Sequence, residues 1–525
     1  MKNDVVDTLL RRIDELSDPS RYPGHPERIE IHQTHISVVC VAGDDAYKLK
    51  KPVKLPFLDY STPALREYFC REEVRLNRRL CPNLYLGVAP LYETPRGATF
   101  VREASAKVVD HAVLMQTLPQ DRMLDVLLEE DAVSESEIRD LARRVVRFHQ
   151  LAARDEHTVE AGAPSHLHQN ILANFEETLG FCGSLFQPDL HAQLWNQAEQ
   201  DVTRHLPLLE ERCRSGFVID GHGDLHARNV CLITPPAIYD CIEFSASFRC
   251  GDTAAEHAFL IMDLRYRGHT NLAKAYLDEV ITESGDEEMR DLMPMMIRYR
   301  AMVRAKVAAL TTQEEEVGPE ALREAVTSAR RHLNLAAMVS LEERGPALFI
   351  ACGLPGTGKT HVCEELAHQS GWTYVASDRV RKTLAGVALH EAAPQSAYTP
   401  EFSAKTYAEL REQAKATLSS GPVIIDANFR SRESRSAMIA LAADSSIPVH
   451  LLWFQAPEKV IEERLLHRAH RNPSASDADL TVYRALKGSF EAPSPGEGAT
   501  LVEIAGNQDR DEAITRILLA SQSSS

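Results

Sequence analysis

The residues best suited to chemistry lie late in the chain, where residues 353–360 read GLPGTGKT and fit the spacing G-x-x-x-x-G-K-[S/T]. Glycines let backbone N–H groups point inward around phosphates, and the N-terminus of a following helix adds the positive end of its dipole. The spacing predicts that Lys359 reaches the β- and γ-phosphates of a nucleoside triphosphate and that Thr360 coordinates Mg²⁺. The loop residues expected to contact the nucleotide are Gly353, Gly356, Thr357, Gly358, Lys359 and Thr360.

Two carboxylates follow β-type runs in the same region. Ligands of open α/β sheets bind outside the carboxyl ends of the strands, so Asp378 and Asp426 are expected to face the nucleotide. Asp378 is predicted to accept the proton of an acceptor hydroxyl, and Asp426 is predicted to support Mg²⁺. The alternative is that each carboxylate caps a helix. An anionic part of the acceptor could be held by a neighbouring basic residue, which is Arg379, Arg381 or Lys382.

A basic stripe follows further along the chain. Arg464, Arg468 and Arg471 are spaced i, i+4 and i+7, so they share one face of a helix. A lid that carries such a stripe could close over ATP phosphates and stabilise charge in the transition state. We therefore predict that Arg464 and Arg468 contact the nucleotide, the alternative being a solvated helix face.

A second cluster of reactive residues lies in the first half of the chain, in the run GHGDLHARN at residues 221–229. A compact loop between β-type runs that carries His, Asp and Asn at this spacing is typical of a phosphotransfer loop. Asp224 is predicted to orient and deprotonate an acceptor hydroxyl, and Asn229 to hold a metal ion. His222 is expected to brace the loop.

The partners of this loop are expected on either side of it. Asp240 ends a β-type run and fits a carboxylate that binds metal beside the ATP phosphates. Lys48 and Lys50 lie on one face of a strand because side chains alternate along it. One of them should contact the α- and β-phosphates and pair with Glu72 or Glu73. We assign Lys48 and Glu73, the alternative being exposed charges.

The pattern of elements predicts two domains. Residues 1–340 have β-type runs early and helical periodicity later, which indicates a small β-rich lobe at about 25–116 and a helical lobe at about 117–340. After a charged run that ends in Gly345 and Pro346, residues 345–525 alternate short β-type runs with amphipathic stretches. This order predicts an α/β domain with a parallel sheet.

The first domain resembles the aminoglycoside phosphotransferase family of protein-kinase-like enzymes. The loop HGDLHARN matches the family's HGDxxxxN at His222, Gly223, Asp224 and Asn229, and Asp240 matches its metal-binding aspartate. The resemblance implies an α+β protein-kinase-like fold with ATP and Mg²⁺ as cofactors. It does not fix the acceptor, because kinship of fold says little about which hydroxyl is phosphorylated.

The second domain resembles the P-loop kinases of small molecules and polynucleotides, a group that includes polynucleotide 5'-kinase and zeta-toxin-like proteins. In that group the aspartate of the SDxxR-like motif is the base, which implies this role for Asp378 and an acceptor contact for Arg381. Arg430, Arg432 and Arg435 are further candidates for acceptor contacts. The pairing of the two domains resembles bacterial fusion proteins of an aminoglycoside phosphotransferase-like domain with a P-loop ATP-binding domain.

Composition limits the other classes of function. The 525 residues carry a formal net charge of -18, which argues against a stable nucleic-acid complex or an anionic membrane partner. The sequence has no secretory signal pattern and no apolar run of ~18 residues, so a cytoplasmic location is expected. The 10 cysteines are scattered without metal-binding spacing, so reduced thiols are expected.

The sequence therefore predicts a bifunctional kinase in which two sites each move the γ-phosphoryl of ATP, or of GTP, to a hydroxyl of a small-molecule or nucleotide acceptor. Two alternatives stay open. In one, a domain without turnover senses nucleotide and regulates the other. In the other, the second domain phosphorylates RNA ends or nucleotide sugars, as toxin and repair enzymes do. The oligomeric state is not predicted.

Overall fold

The computed structural model describes residues 2–55, 58–104, 106–313, 317–443, 446–470 and 478–522, with the backbone alone at 2–7, 443 and 468–470. Packing divides the chain into two compact units. Unit 1 consists of Met1–Asn170, Arg204–Leu264 and Asn271–Met293, and unit 2 consists of Ile171–Thr203, Arg265–Thr270 and Pro294–Ser525. This grouping follows packing and does not test where the sequence domains end, so the boundaries at 340 and 345 stay a prediction.

The first part of unit 1 is an antiparallel sheet, and its third strand carries Lys48 and Lys50. The strands are β1 (Ile29–Gln33), β2 (Ser37–Ala42), β3 (Asp45–Lys50), β4 (Lys54–Leu55), β5 (Leu58–Asp59), β6 (Tyr85–Thr94), β7 (Gly97–Thr99) and β8 (Lys107–Gln116), and the helices are α1 (Lys2–Glu15) and α2 (Pro63–Asn77). The main sheet has the order β1-β2-β3-β8-β6-β7. Helix α2 begins where the Thr62 side chain caps Leu65 N–H, with Pro63 in the first turn. It packs against β6 and β8.

Helices dominate the middle of the chain, as predicted. The elements are α3 (Leu124–Glu129), α4 (Glu135–Leu151), α5 (Glu156–Ala161), α6 (Pro164–Thr178), α7 (Pro188–Arg214), β9 (Val218–Asp220), β10 (Val230–Cys231), β11 (Ala237–Ile238), α8 (Ala246–Arg249), β12 (Cys250–Asp252), α9 (Thr253–Tyr266), α10 (Thr270–Ser284), α11 (Met289–Thr311) and α12 (Pro319–Arg344). Short β9 and β10 flank the loop that holds Asp224, and a 3₁₀ turn at Ala227–Asn229 ends that loop. Residues of α9 from Thr253 to Leu264 are buried.

The last part of unit 2 is the predicted parallel sheet with helices between its strands. The elements are β13 (Leu348–Cys352), α13 (Lys359–Ser370), β14 (Thr373–Ala376), α14 (Ser377–Ala385), α15 (Pro400–Leu418), β15 (Val423–Asp426), α16 (Arg432–Ala443), β16 (Val449–Gln455), α17 (Glu458–His470), α18 (Leu480–Lys487), β17 (Thr500–Ala505) and α19 (Arg510–Gln522). The strand order β14-β15-β13-β16-β17 places β13 at the centre. All five residues of β13 are buried, as expected for a strand covered on both faces.

The predicted fold class is confirmed. An α+β region with an antiparallel sheet precedes an α/β region with a parallel sheet. The predicted alternation of short β-type runs with amphipathic stretches corresponds to β13–β17 and the helices between them. None of the helices in the described residues combines the length and apolar character needed to cross a membrane.

Candidate active sites

In unit 1 the strand β3 and the helix α2 bring together two lysines and one glutamate. Lys48 Nζ donates to Glu73 Oε1 at 2.9 Å, and Lys50 Nζ donates to Glu73 Oε2 at 2.6 Å. Glu73 is fully buried. Burial alone would raise the pKa of Glu73, but the two ammonium groups outweigh it and lower the pKa to about 2. Glu72, the other candidate, pairs instead with Arg75 on the surface of α2.

Asp240 lies where the β-rich part meets the helical part of unit 1. Its carboxylate contacts the Lys48 ammonium, and 41% of its side chain is exposed. Its backbone φ is 63°, which is left-handed and uncommon for a residue other than glycine. The Asp240 N–H donates to Tyr85 Oη at 3.1 Å, and this bond helps to hold the conformation. Lysine, glutamate and exposed aspartate therefore form one continuous group.

The loop between β9 and β10 places Asp224 beside Asn229. The Asn229 amide nitrogen donates to Asp224 O at 2.9 Å and to Asp224 Oδ2 at 3.1 Å. His226 Nε2 lies 3.2 Å from the same carboxylate oxygen. Because the amide nitrogen of Asn229 donates to Asp224, the side-chain carbonyl oxygen of Asn229 is the atom able to coordinate a cation.

A buried glutamate of α9 accepts hydrogen bonds from the backbone of this loop. Glu256 accepts the backbone N–H of His222 at 2.7 Å and that of Gly223 at 3.0 Å. Burial would raise the pKa of Glu256, but the nearby His149 and His222 and the Gly223 N–H lower it to about 2. His222 braces the loop as expected, with Nε2 at 2.9 Å from Tyr239 O. Burial lowers the pKa of His222.

In unit 2 the P-loop joins β13 to α13. Gly353 has φ 144°, and a Cβ there would lie 2.5 Å from Phe454 O, so only glycine fits. Lys359 Nζ donates to Gly353 O at 2.9 Å and to Leu354 O at 3.0 Å. Burial lowers the pKa of Lys359, an effect that Asp426 and Asp378 oppose. The loop residues Gly356, Gly358, Lys359 and Thr360 line a cleft of about 1360 Å³.

Asp426 ends β15 beside the first turn of α13. Thr360 Oγ1 donates to Asp426 Oδ2 at 2.6 Å, and Tyr374 Oη donates to the same oxygen at 2.9 Å. Burial raises the pKa of Tyr374, and the Asp426 charge raises it further, so the phenol stays protonated. Two hydroxyl groups thus fix the orientation of the carboxylate.

Asp378 and Arg381 lie in the first turns of α14 and line the same cleft. The Arg381 guanidinium donates to Ala397 O at 2.5 Å and to Ser403 Oγ at 3.3 Å. It also lies 5.0 Å from the centre of the Tyr398 ring. Arg381 is thereby fixed at the wall of the cleft on the Asp378 side.

The other candidate arginines take several positions. Arg464 donates to Gly356 O at 3.3 Å and to Gly506 O at 2.8 Å, so it joins the P-loop to the turn after β17. Arg435 is buried in an ion pair with Glu497, at 2.7 Å and 2.9 Å, and is a structural brace rather than an acceptor contact. Arg430 lines the cleft. The Arg468 side chain and Arg471 lie outside the described residues.

Both sites offer the oxygen ligands that Mg²⁺ prefers. Mg²⁺ uses one or two protein oxygens together with phosphate oxygens and water. In unit 1 the candidates are the carbonyl oxygen of Asn229 and the exposed carboxylate of Asp240. In unit 2 they are the Thr360 hydroxyl and, behind it, Asp426. The residues present therefore fit the ion.

Sequence reasoning missed the side chains that hold these groups in place. Glu256, Tyr85 and Tyr374 each bond to a site residue but stand in no motif. Glu256 and Tyr85 are buried and Tyr374 is partly buried, so the sequence marks them only as polar side chains within a helix or strand. Gly506 was also missed, although a Cβ there would lie 1.8 Å from Thr357 O.

Solved structures that resemble parts of the chain are distant. A gluconokinase from Sinorhizobium meliloti is 21% identical, and the similarity covers 34% of this chain and 92% of that one with a TM-score of 0.25. The amicoumacin kinase hAmiN, solved with AMP-PNP, Ca²⁺ and Ami, is 11% identical and covers 64% of this chain and 96% of its own, with a TM-score of 0.37.

Sequence comparisons give a closer relationship. Residues 348–493 match the family model described as an AAA domain. The uncharacterised protein Rv2004c of Mycobacterium tuberculosis is 30% identical over 464 residues, which cover 87% of this chain and 89% of the relative. The protein Mb2027c of Mycobacterium bovis matches with the same values. Because this identity extends over most of both proteins, the chain belongs to the family of Rv2004c.

Proposed function

We propose that the chain is an ATP- and Mg²⁺-dependent phosphotransferase with two active sites. Each site transfers the γ-phosphoryl group of ATP to a hydroxyl of a small-molecule or nucleotide acceptor. The observation that carries the proposal is that each unit combines an ammonium group, oxygen ligands for a cation and a carboxylate able to accept a proton. Phosphoryl transfer needs these three groups more than any covalent chemistry from the protein.

In the first site Lys48 holds the α- and β-phosphates, and Glu73 fixes the ammonium by accepting its hydrogen bond at 2.9 Å. Asn229 and Asp240 supply oxygen ligands. Asp224 accepts the proton of the acceptor hydroxyl, whose oxygen then forms a bond to the γ-phosphorus while the bond to the β–γ bridging oxygen breaks. ADP leaves with that oxygen.

In the second site the P-loop backbone N–H groups and Lys359 hold the β- and γ-phosphates. Thr360 supplies a metal ligand, and Asp426 orients it through the bond of 2.6 Å. Asp378 takes the proton of the acceptor hydroxyl, and Arg381 lies next to it on the wall of the cleft. Mg²⁺, when bound at either site, neutralises charge on the β- and γ-phosphate oxygens.

Two features support separate activities. The motifs lie in different units, and the groups at each site come from that unit alone. Neither motif therefore depends on residues of the other for its basic parts.

The experiment is transfer of ³²P from γ-labelled ATP into a bacterial small-molecule extract, and separately into RNA 5'-ends and nucleotide-sugar pools. It compares the full-length chain with Asp224→Asn and Lys359→Ala, and with the exposed control changes Asp189→Asn and Lys405→Ala. We expect two labelled products, each lost in one active-site variant and kept in both controls. Nucleotide binding without any labelled product would overturn the proposal in favour of a nucleotide-sensing regulator. Loss of all turnover in Lys359→Ala would reduce the first site to a pseudokinase.

A further inference from the structure

The second lysine of β3 has surroundings unlike those of the first. Lys50 Nζ contacts the Glu243 carboxylate, donates to Glu73 at 2.6 Å and lies 3.4 Å from Tyr60 Oη. Tyr60 Oη in turn donates to Glu243. Lys50, Glu243 and Tyr60 form a closed group, which we call the Lys50 latch. Only 2% of the Lys50 side chain and 6% of the Glu243 side chain are exposed.

Lys48 stands two residues earlier on the same face of β3, but its side chain is more exposed to solvent than that of Lys50. Its side chain is 13% exposed, and its second partner is the carboxylate of Asp240, which is 41% exposed. Of the two lysines, Lys48 is therefore the one that borders the exposed Asp240 carboxylate. Lys50 has its ammonium enclosed by two carboxylates and a phenol, so no ligand in the nucleotide site would contact it.

The Lys50 latch acts on the segment that carries the metal-binding carboxylate. Glu243 lies three residues after Asp240, and the residues between them are also held: the Cys241 N–H donates to Asn77 Oδ1 at 2.9 Å. Asp240 itself has φ 63°. A non-glycine residue keeps such a conformation only where its surroundings determine it. The Lys50 latch anchors the far end of this segment to the sheet.

We propose that Lys50 is a positioning residue of the first site, which holds Glu243 and thereby aims the Asp240 carboxylate at the metal, while Lys48 alone contacts the phosphates. The inference rests on the proposed function of that site and deepens it. It gives a role to Lys50, whereas sequence alone assigned a role only to Lys48. It also gives Glu243 the role of an anchor rather than that of a metal ligand.

The charges of the group support this division of roles. Burial would lower the pKa of Lys50, but Glu243 and Glu73 outweigh it and raise the pKa, so the ammonium remains charged. Without Glu243, the Lys50 ammonium would have to share Glu73 with Lys48. With Glu243 present, each lysine has a carboxylate partner besides Glu73: Glu243 pairs with Lys50, and Asp240 pairs with Lys48.

The test measures metal binding directly. Full-length protein that carries Lys359→Ala is titrated with Mn²⁺ in the presence of AMP-PNP, and bound Mn²⁺ is followed by electron paramagnetic resonance. The same chain with Asp240→Asn added serves as the background control, because it measures the Mn²⁺ that binds outside the first site. The variants are Lys50→Met, Glu243→Leu, Glu243→Gln and Tyr60→Phe. The matched control is Lys54→Met, since the Lys54 side chain is 73% exposed in a surface pair with Asp59.

Partners behind a metal ligand typically change metal affinity by about 10–100-fold. We expect Lys50→Met and Glu243→Leu to weaken Mn²⁺ binding by about tenfold or more, and Tyr60→Phe by less. Glu243→Gln should stay within about threefold of the parent, because its amide oxygen still accepts from Lys50 and Tyr60. AMP-PNP affinity measured without metal should change little in these variants and fall in Lys48→Met.

Other outcomes would refute either this inference or the proposed function of the first site. Equal Mn²⁺ affinity in Lys50→Met and Lys54→Met would overturn the inference. A loss in Glu243→Gln as large as that in Glu243→Leu would show that hydrogen bonds from Lys50 and Tyr60 do not account for the role of Glu243, and would also overturn the inference. If circular dichroism shows that the Lys50→Met variant is unfolded, the question is decided by Tyr60→Phe and by the comparison of Glu243→Leu with Glu243→Gln. Absence of Mn²⁺·AMP-PNP binding in the parent would instead refute the proposed function of the first site.

Discussion

A methyl group at Gly506 should disable the second site and spare the first. Gly506 lies in the turn after β17, where its N–H donates to Gln455 O at 2.6 Å and its carbonyl oxygen accepts from Arg464 at 2.8 Å. An added Cβ would lie 1.8 Å from Thr357 O, while real Cβ contacts are essentially never under 3.0 Å. The contact is between two backbones, so no side chain can rotate away to relieve it.

The magnitude follows from this overlap. The P-loop and the turn must separate by about 1.2 Å to reach a contact of 3.0 Å. A misplacement of about 1 Å near reacting groups costs about 10²-fold in rate, which corresponds to about 2.7 kcal/mol of transition-state stabilisation. Gly506→Ala should therefore lower kcat/KM for the Lys359-dependent transfer about 100-fold.

The assay measures both transfers in the same preparation. The Asp224-dependent transfer should be unchanged in Gly506→Ala, which shows that the chain is folded. Gly488→Ala is the matched control, because a Cβ at Gly488 meets nothing within 4 Å and the backbone there is not left-handed. Second-site activity within about threefold of wild type in Gly506→Ala would refute the reasoning.

The remaining predictions concern buried charges and the metal. Glu256→Gln should destabilise the protein at neutral pH, and because the pKa of Glu256 is lowered from 4.5 to about 2, the difference in unfolding free energy from wild type should shrink as pH falls across that interval. Urea unfolding between pH 2 and pH 7 measures it, and a constant difference would contradict it. Arg435→Met leaves Glu497 buried without its partner and should cost about 3 kcal/mol in urea unfolding. The exposed Arg484→Met is its control, and equal stabilities would contradict the prediction. EDTA should abolish both phosphoryl transfers, with recovery on excess Mg²⁺, and transfer that survives EDTA would contradict metal dependence.

Local patterns were sufficient to predict the strands and the loops that bear the motifs. The run from Leu348 to Cys352 is apolar throughout because β13 is covered on both faces, and glycine spacing marked the P-loop that follows it. Side-chain alternation correctly placed Lys48 and Lys50 on one face of β3. Each of these inferences uses residues that are close in sequence.

Sequence reasoning failed where a role depends on residues far apart in the chain. Lys50 meets Glu243 across 193 positions, and no periodicity links them. Glu256 lies 34 residues after His222 and stands within a uniformly buried helix, so no pattern marks it as a support of the loop. Arg435 looked like an acceptor contact because basic residues cluster near Asp426, yet burial and Glu497 make it a brace.

The most direct test of the central claim measures γ-phosphoryl transfer by four full-length proteins: wild type, Asp224→Asn, Lys359→Ala and the double variant. Two independent sites predict that each single variant loses one product and retains the other at its wild-type rate, and that the double variant transfers nothing. The opposite result, in which a single substitution abolishes both products or the double variant still transfers phosphate, would contradict the account of two kinase sites in one chain.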